Sequence, residues 1–277
     1  IGTALSLTDS HDASCPSVSP VHCEESDIPL HEHHLGLLGM RTTPTISVGL
    51  GEGWQLSAAL PFDFRWTDVL YSLPDGTPYL PPYASIHHRN EWIRGFVDAR
   101  VNVGRVGRWP GGWVLSGQMG TTIPFGQIEE DPYALTAEGK EHQHFQLGSG
   151  TFQPTLAFSL IKAEEVWRFF GSGNARLSLY ENEKGYRSAS VYELEGGASR
   201  EIGERLDAFL ALNASNTTSD YWSGDPYPGL QSLKAKVGLT THLSPNWSLE
   251  TQAFLLIADR IVGGEAGELV SQRSSFT

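Results

Sequence analysis

The stretch 54–66 reads WQLSAALPFDFRW, and every second residue in it is apolar. Successive side chains of a β-strand point to opposite faces, so this stretch as a strand has one apolar and one mainly polar face. Twelve steps of about 3.3 Å, tilted by about 40–45°, rise about 28–30 Å, close to the hydrocarbon thickness of a bilayer. The stretch can therefore reach from one membrane interface to the other, with a Trp at each.

Tryptophan also marks the start of other alternating stretches. Trp54, Trp113, Trp167 and Trp247 each follow a short turn and open such a stretch. Alternating runs of about ten residues, with aromatic girdles at the interfaces, are typical of membrane-spanning β-barrels. The pattern predicts an aromatic belt at the turn end of the strands.

The composition fits one large β domain over residues 1–277. Hydrophobic residues make up 39% of the chain, as in a barrel in which only every second residue meets lipid. No apolar run approaches the roughly 18 residues that a spanning helix needs. The first residues lack the charged, apolar and small-residue pattern of a signal peptide, so we expect an exported chain to be numbered from its mature start.

Connection lengths alternate along the chain. The short connections are 51–53, 104–112, 162–166, 202–205 and 243–246, and the longer, more polar ones are 10–33, 71–86, 127–143, 181–186, 218–230 and 260–267. Outer-membrane barrels have short periplasmic turns and longer outer loops. An even number of strands places both chain ends on the periplasmic side. The predicted strands are 1–9, 34–50, 54–70, 87–103, 113–126, 144–161, 167–180, 187–201, 206–217, 231–242, 247–259 and 268–277.

These patterns predict an all-β fold, an antiparallel up-and-down transmembrane β-barrel of about twelve strands. Its expected location is the outer membrane of a Gram-negative bacterium, with the lipid bilayer and lipopolysaccharide as its surroundings. A secreted, soluble β-sandwich is the alternative, but it has no reason to sort its connections by length.

Charged residues fall mostly on one parity of the predicted strands. In 87–103 the alternation places Ile93 outward and Arg94 inward, and in 247–259 it places Leu255 outward and Gln252 inward. A Lys or Arg facing lipid at mid-depth would cost about 2–4 kcal/mol. The inward charges either line a narrow aqueous pore or pair across the interior and close it. The predicted pore-lining residues are Asp63, Arg65, Arg94, Asp98, Arg100, Arg176, Glu193, Glu195, Lys234, Lys236 and Glu250.

Histidines concentrate in the first three long connections. His31 and His33 share a face of an extended segment, and His11, His22 or His87 can complete a ligand set. Imidazole suits both Zn²⁺ and Cu²⁺, so the pattern predicts a metal site at the outer rim. The alternative is that these histidines are solvated or pair with nearby carboxylates.

The long external loop 10–33 also holds both cysteines, Cys15 and Cys23. In an exported chain two cysteines this close most simply form a local disulfide. A metal pair is the other interpretation, although this spacing is not a recurring zinc spacing.

Two segments resemble one family of outer-membrane proteins. Residues 90–103 (NEWIRGFVDARVNV) contain Gly95-Phe96-Val97-Asp98, and residues 146–160 (QLGSGTFQPTLAFSL) contain Gly148-Ser149-Gly150. Both resemble strand starts in the small barrels associated with transport in the meta-pathway of phenol degradation. The resemblance implies an outer-membrane barrel for the passage of small molecules, with aromatic compounds as candidates.

Together these features predict a porin-like channel or transporter for small solutes through a narrow charged lumen. The alternative is a non-conducting structural or partner-binding barrel whose acidic, His-rich outer loops dock extracellular proteins or metal ions.

Two other classes of function are disfavoured. A net charge of −13 argues against a nucleic-acid partner, which requires a basic surface. Gly148-Ser149-Gly150 is no nucleophile elbow, because no helix is predicted to follow it, and we expect no enzyme activity.

Overall fold

The computed structural model describes residues 5–13, 29, 31–82, 84–85, 90–142, 145–244 and 247–263. Antiparallel β-strands dominate this part of the chain. It contains one short α-helix, α1 (Pro132–Ala137). No helix within the described ranges is long and apolar enough to span a membrane.

The strands form three antiparallel sheets. The first has the order β1-β2-β5-β6, the second β17-β16-β13-β12-β10-β9-β8-β7-β4-β3, and the third, smaller one β11-β14-β15. The strands are β1 (Leu5–Ala13), β2 (His31–Thr42), β3 (Thr45–Gly51), β4 (Trp54–Ala59), β5 (Phe62–Ser72), β6 (Glu91–Phe96), β7 (Ala99–Trp109), β8 (Trp113–Ile123), β9 (Pro154–Glu164), β10 (Trp167–Arg176), β11 (Tyr186–Arg187), β12 (Val191–Gly203), β13 (Leu206–Thr217), β14 (Asp220–Trp222), β15 (Asp225–Tyr227), β16 (Gly229–Ser244) and β17 (Trp247–Val262).

Three predicted strands are each interrupted once. The breaks separate β2 from β3, β4 from β5, and β6 from β7. Proline contributes to two of them, because Pro44 and Pro61 have no N–H to donate to a ladder. The Leu60 N–H donates to the Pro44 carbonyl (3.1 Å) and the Val97 N–H donates to the Pro61 carbonyl (2.9 Å). These two hydrogen bonds link neighbouring strands across the breaks, so the four-stranded and the ten-stranded sheet continue each other. We call the two sheets together the wall.

The two continuous sheets end at β1 and at β17 in the part of the chain that the structure describes. The predicted final strand, 268–277, lies outside the described residues. The all-β antiparallel prediction is confirmed. Closure of the wall and the count of about twelve strands remain predictions.

One face of the wall is apolar and exposed, and we call it the apolar face. Leu210 is 63% exposed and Leu255 66% exposed, as predicted for mid-strand outward positions. Soluble proteins rarely expose apolar patches larger than a few hundred Å². This face therefore disfavours the soluble sandwich. The opposite face, which we call the polar face, carries most of the strand charges.

The parity of the strand reverses between β6 and β7. Arg94 pairs with Phe64 on the apolar face, whereas Val101 pairs with Ala58 on that same face. Even-numbered residues of β6 and odd-numbered residues of β7 thus share the apolar face, because the break at residues 97–98 shifts the alternation by one. The predictions that Arg94 lines a pore and that Ile93 points outward are therefore wrong.

The turn end of the wall carries the predicted aromatic belt. Trp54, Trp113, Trp167 and Trp247 are all exposed there. Cations lie over three of these rings: Arg105 over Trp54 (5.4 Å), Lys162 over Trp113 (5.6 Å) and Arg200 over Trp167 (5.4 Å). Aromatic rings and long basic side chains are favoured at a membrane interface, where both an apolar and a hydrated layer are within reach.

Candidate functional site

A polar cavity of about 290 Å³ lies on the polar face between β10 and β17. Lys236 forms an ion pair with Glu195, which also accepts a hydrogen bond from the Asn213 side chain (3.2 Å). The Lys234 ammonium lies 5.6 Å from the Phe254 ring centroid. The residues lining the cavity are Ser172, Asn174, Glu193, Glu195, Asn213, Lys234, Lys236, Gln252 and Phe254.

The predicted pore-lining charges of this region lie where the alternation placed them. Glu193 accepts a hydrogen bond from the Asn174 side chain (2.9 Å) within the same cavity. Glu250 pairs with Thr240, which lies on the face of Lys234 and Lys236. A second, apolar groove of about 650 Å³ includes Met119, Leu156 and Phe158 of the apolar face, so it is no polar solute site.

A second charged group lies on β2 and β5. Asp63 is 1% exposed, and both its oxygens accept hydrogen bonds from Arg41 (2.5 and 2.8 Å). Arg65 donates to the same carboxylate (2.6 Å). Two guanidinium groups thus neutralise one buried carboxylate. The sequence analysis did not predict that Arg41 binds Asp63. The two residues pair because they lie directly opposite each other in the antiparallel ladder.

A third group lies near the turn end. Arg168 donates to Asp207 (2.9 Å) and forms an ion pair with Glu201. The Nε2 atom of His242 is 3.2 Å from the same Asp207 oxygen. These pairs, like those above, join residues on the same, neighbouring or next-but-one strands of the wall. Among the described residues, the strand charges therefore pair along the wall, which is not the pairing across the interior that would close it.

Asp98 has a structural role rather than the predicted pore-lining one. One carboxylate oxygen accepts hydrogen bonds from the N–H groups of Phe125 (3.2 Å) and Gly126 (3.1 Å). The other accepts hydrogen bonds from the N–H (2.8 Å) and the hydroxyl (2.5 Å) of Ser149. Asp98 is nearly buried, and all four donors come from the segment 124–153. The prediction that Asp98 lines a pore was wrong, because its side chain is bound by segment 124–153 and nearly buried. These donors could not be identified from the sequence, because they lie 27 to 51 residues away.

The two glycine motifs meet at this point. Ser149 of Gly148-Ser149-Gly150 binds Asp98 of Gly95-Phe96-Val97-Asp98. A Cβ added to Gly148 would lie 2.6 Å from the carbonyl carbon of Gly126, and one added to Gly95 would lie 2.9 Å from the Leu147 side chain. Glycine is therefore required at position 148, where the added atom would clash with backbone, whereas at position 95 the Leu147 side chain could move aside.

The segment 124–153 folds over the polar face. Phe145 lies 5.9 Å from the Arg65 guanidinium, and Leu147 packs buried against Gly95. Gln153 is 1% exposed, and its N–H donates to the Thr122 hydroxyl (3.0 Å). The segment therefore covers part of the polar face.

The same segment packs against two later loops, and we call the three together the loop assembly (residues 124–153, 177–190 and 218–228). Tyr133 stacks on Tyr227 with ring centroids 4.1 Å apart. Lys184 forms an ion pair with Glu130 (2.5 Å). The Asn182 side chain donates to the Ser149 carbonyl (3.0 Å).

The small sheet contributes a buried acidic group to the loop assembly. Burial raises the pKa of the Asp220 carboxyl, whose oxygen lies 3.4 Å from the Tyr186 hydroxyl. Burial, together with the charge of Asp220, also raises the pKa of Tyr186. Tyr186 packs on Trp222 with ring centroids 4.6 Å apart.

Two arginines of the polar face, Arg100 and Arg176, are not part of the ion pairs described above. Arg100 pairs with Ala59 and Thr122, and Arg176 pairs with Thr155 and Val191. Both side chains are exposed. Within the described residues, no carboxylate lies at ion-pair distance from either guanidinium.

The predicted metal residues are only partly described. His31 is fully buried; its Nδ1–H donates to the Pro29 carbonyl (2.8 Å), and its ring lies 5.3 Å from that of Tyr79. The register places His11 opposite His33 on β1 and β2. His22, His87, Cys15 and Cys23 lie outside the described residues. No three potential ligands come together among the residues that are described, and the metal site and the disulfide remain predictions.

Neither a protein-family model nor a curated protein sequence matches the chain. Its fold matches that of a solved outer-membrane channel. The crystal structure of the COG4313 outer membrane channel from Pseudomonas putida F1 aligns with a TM-score of 0.56 at 12% identity. The match covers 92% of this chain and 86% of that chain. At this identity the likeness shows the fold alone.

Proposed function

We propose that this chain is a closed outer-membrane barrel of about twelve strands that conducts small solutes through a narrow charged lumen. In this proposal the predicted strand 268–277 joins the edges of β1 and β17. An unpaired edge in hydrocarbon leaves backbone N–H and C=O groups without partners, and closure removes that cost.

The observation that carries this proposal is the distribution of polarity on the wall. The apolar face is exposed along the strands, whereas the polar face holds ion pairs and exposed arginines. Such a wall fits lipid outside and water inside. The fold likeness to an outer-membrane channel supports the same conclusion.

The expected surroundings are the bilayer and lipopolysaccharide of a Gram-negative outer membrane, and the expected cargo is a small solute. We assign the chain no catalytic role. The second candidate, a non-conducting barrel that binds partners through its outer loops, is supported by the inward fold of segment 124–153 and by the extensive loop assembly.

Conductance separates the two candidates. Purified protein, added to a planar bilayer, should give discrete current steps in KCl. The Asp98→Asn variant, in which the anchor of segment 124–153 is weakened, should give larger or noisier steps. A protein that is inserted in the bilayer but passes no current in either form would establish the non-conducting candidate instead.

A further inference from the structure

We propose that Arg100 and Arg176 form an anion-selective site on the polar face, suited to small oxyanions such as carboxylates and phosphate. The inference rests on the proposed channel and names the class of solute that it favours. It is carried by the position, the charge balance and the exposure of these two side chains.

Arg100 and Arg176 lie close together on the wall, with Arg176 two residues along its strand from the hydrogen-bonded row of Arg100. Arg100 pairs with Thr122, whose N–H donates to the Gln153 carbonyl (2.9 Å). On the next strand, the Leu177 N–H, directly after Arg176, donates to the Pro154 carbonyl (2.9 Å). Their backbones are three strand spacings apart, roughly 14 Å across the strands, and about 7 Å apart along them, which gives a separation of roughly 16 Å. Two long side chains at this spacing can approach one ion between them.

The charge balance around this row is positive. Asp63 is already bonded to Arg41 and Arg65. Asp98 is bound by neutral donors of segment 124–153, so it keeps one negative charge. Arg176 lies within the electrostatic influence of Arg100 and Arg41 as well as of Asp98. Arg41, Arg65, Arg100 and Arg176 thus carry four positive charges against the two negative charges of Asp63 and Asp98, and the group is net positive.

The exposure of Arg176 indicates that the charge faces solvent. Protein atoms surround this side chain on most sides, yet it remains accessible to water. That combination is expected of a group that projects into a water-filled space inside a wall. A planar guanidinium offers paired N–H donors that match the two oxygens of a carboxylate or phosphate.

The site lies beside the segment 124–153 where that segment covers the polar face. Arg100 follows the Asp98 anchor by two residues, and segment 124–153 lies over the polar face at that anchor. A solute that passes the segment must pass this pair of arginines. Positive charge at a constriction raises the local concentration of anions and opposes cations.

The test is the reversal potential of single channels in a KCl gradient. Wild-type protein should favour chloride over potassium. Arg100→Gln and Arg176→Gln should each lower the chloride-to-potassium permeability ratio by at least about fivefold, because a unit charge about 4 Å away in water changes the local chloride concentration by about that factor and the potassium concentration in the opposite sense. The double variant should lose the anion preference, and millimolar inorganic phosphate should block the wild type but not the double variant.

Arg168→Gln is the matched control. Arg168 also lies on the polar face, but at the opposite end of β10 from Arg176. Eight strand residues span about 26 Å, well beyond the screening length of salt, so its loss should leave the anion preference at the arginine pair in place. Cation preference in the wild type, or an unchanged ratio in the folded double variant, would overturn the inference while leaving the channel intact.

Absence of any conductance would reject the proposed channel, and the site then has its own measurement. Calorimetric titration of detergent-solubilised protein with inorganic phosphate should show binding that the double variant lacks. No phosphate binding by the wild type, or equal binding by both proteins, would reject the site.

Discussion

Leu255 and Gln252 lie on the same strand, β17, but on opposite faces. Leu255 is 66% exposed on the apolar face, and Gln252 lines the polar cavity. Leu255→Arg should lower the free energy of unfolding from vesicles by about 2–4 kcal/mol, because it places a charge in hydrocarbon. Gln252→Arg is the control on the polar face and should cost far less. Urea unfolding in vesicles measures both, and equal losses would contradict the assigned faces.

Asp98 provides a prediction about a buried carboxylate. Asp98→Ala should destabilise the segment 124–153 by about 1–3 kcal/mol for each buried N–H that loses its acceptor. The segment should then become sensitive to protease in folded protein. Asp75→Asn is the comparison, since Asp75 also accepts a backbone N–H, from Thr77 (2.9 Å), but in an exposed loop. If both variants are equally resistant to protease, Asp98 is not the anchor.

At the residue scale, the faces on which charged side chains lie were easier to predict from the sequence than the contacts that those side chains make. The inward positions of Glu195 and Lys236 follow directly from strand alternation. The role of Asp98 could not be found in this way, because its partner Ser149 is 51 residues away. Arg94 was assigned to the wrong face because residues 87–103 were treated as one strand. The alternation in fact shifts by one residue at the break between β6 and β7.

At the level of elements, the loop assembly should respond to pH through Asp220. Its pKa is raised in the packed loops, so the packed state binds the proton more tightly than the open state does. The packing free energy is therefore greatest below about pH 4, the ordinary carboxyl pKa, and falls as pH rises through the raised value. Near-ultraviolet circular dichroism, which reports on the packing of Trp222 and Tyr186, should show this loss.

Two variants test the assignment to Asp220. Asp220→Asn should remove the pH dependence, because an amide does not titrate. Asp225→Asn, at an exposed position of the neighbouring strand β15, should retain it. A spectrum that changes identically with pH in the wild type and in Asp220→Asn would place the titrating group elsewhere.

Strand positions were predictable because each strand carries its own alternation, but strand breaks were not. Pro44 and Pro61 are visible in the sequence, yet the alternation continues with the same parity past both, so nothing local marks the bend. The small sheet β11-β14-β15 was missed for a different reason. Its strands have two or three residues each, too few to show a period.

For the whole molecule, the decisive property is whether the two edges of the wall, β1 and β17, are joined through a further strand. A chain that ends after Val262 would lack the predicted strand 268–277 and would leave β1 and β17 as open edges. Such a chain should fail to fold into vesicles, since unpaired backbone groups in lipid cost several kcal/mol each. Folding can be followed by circular dichroism and by resistance to urea. Full folding of the truncated chain would show that 268–277 is not a wall strand.

The loop assembly also constrains the order in which this molecule can form. Segment 124–153 is held by Lys184, by Asn182 and, across 92 residues, by the contact of Asp131 with Ser223. These partners are synthesised after the segment, and contacts between distant residues form late because long stretches of chain must first be brought together. The hairpins of the wall close from local contacts. We therefore expect a stage of folding in which neighbouring strands are already paired and segment 124–153 has not yet docked on the polar face.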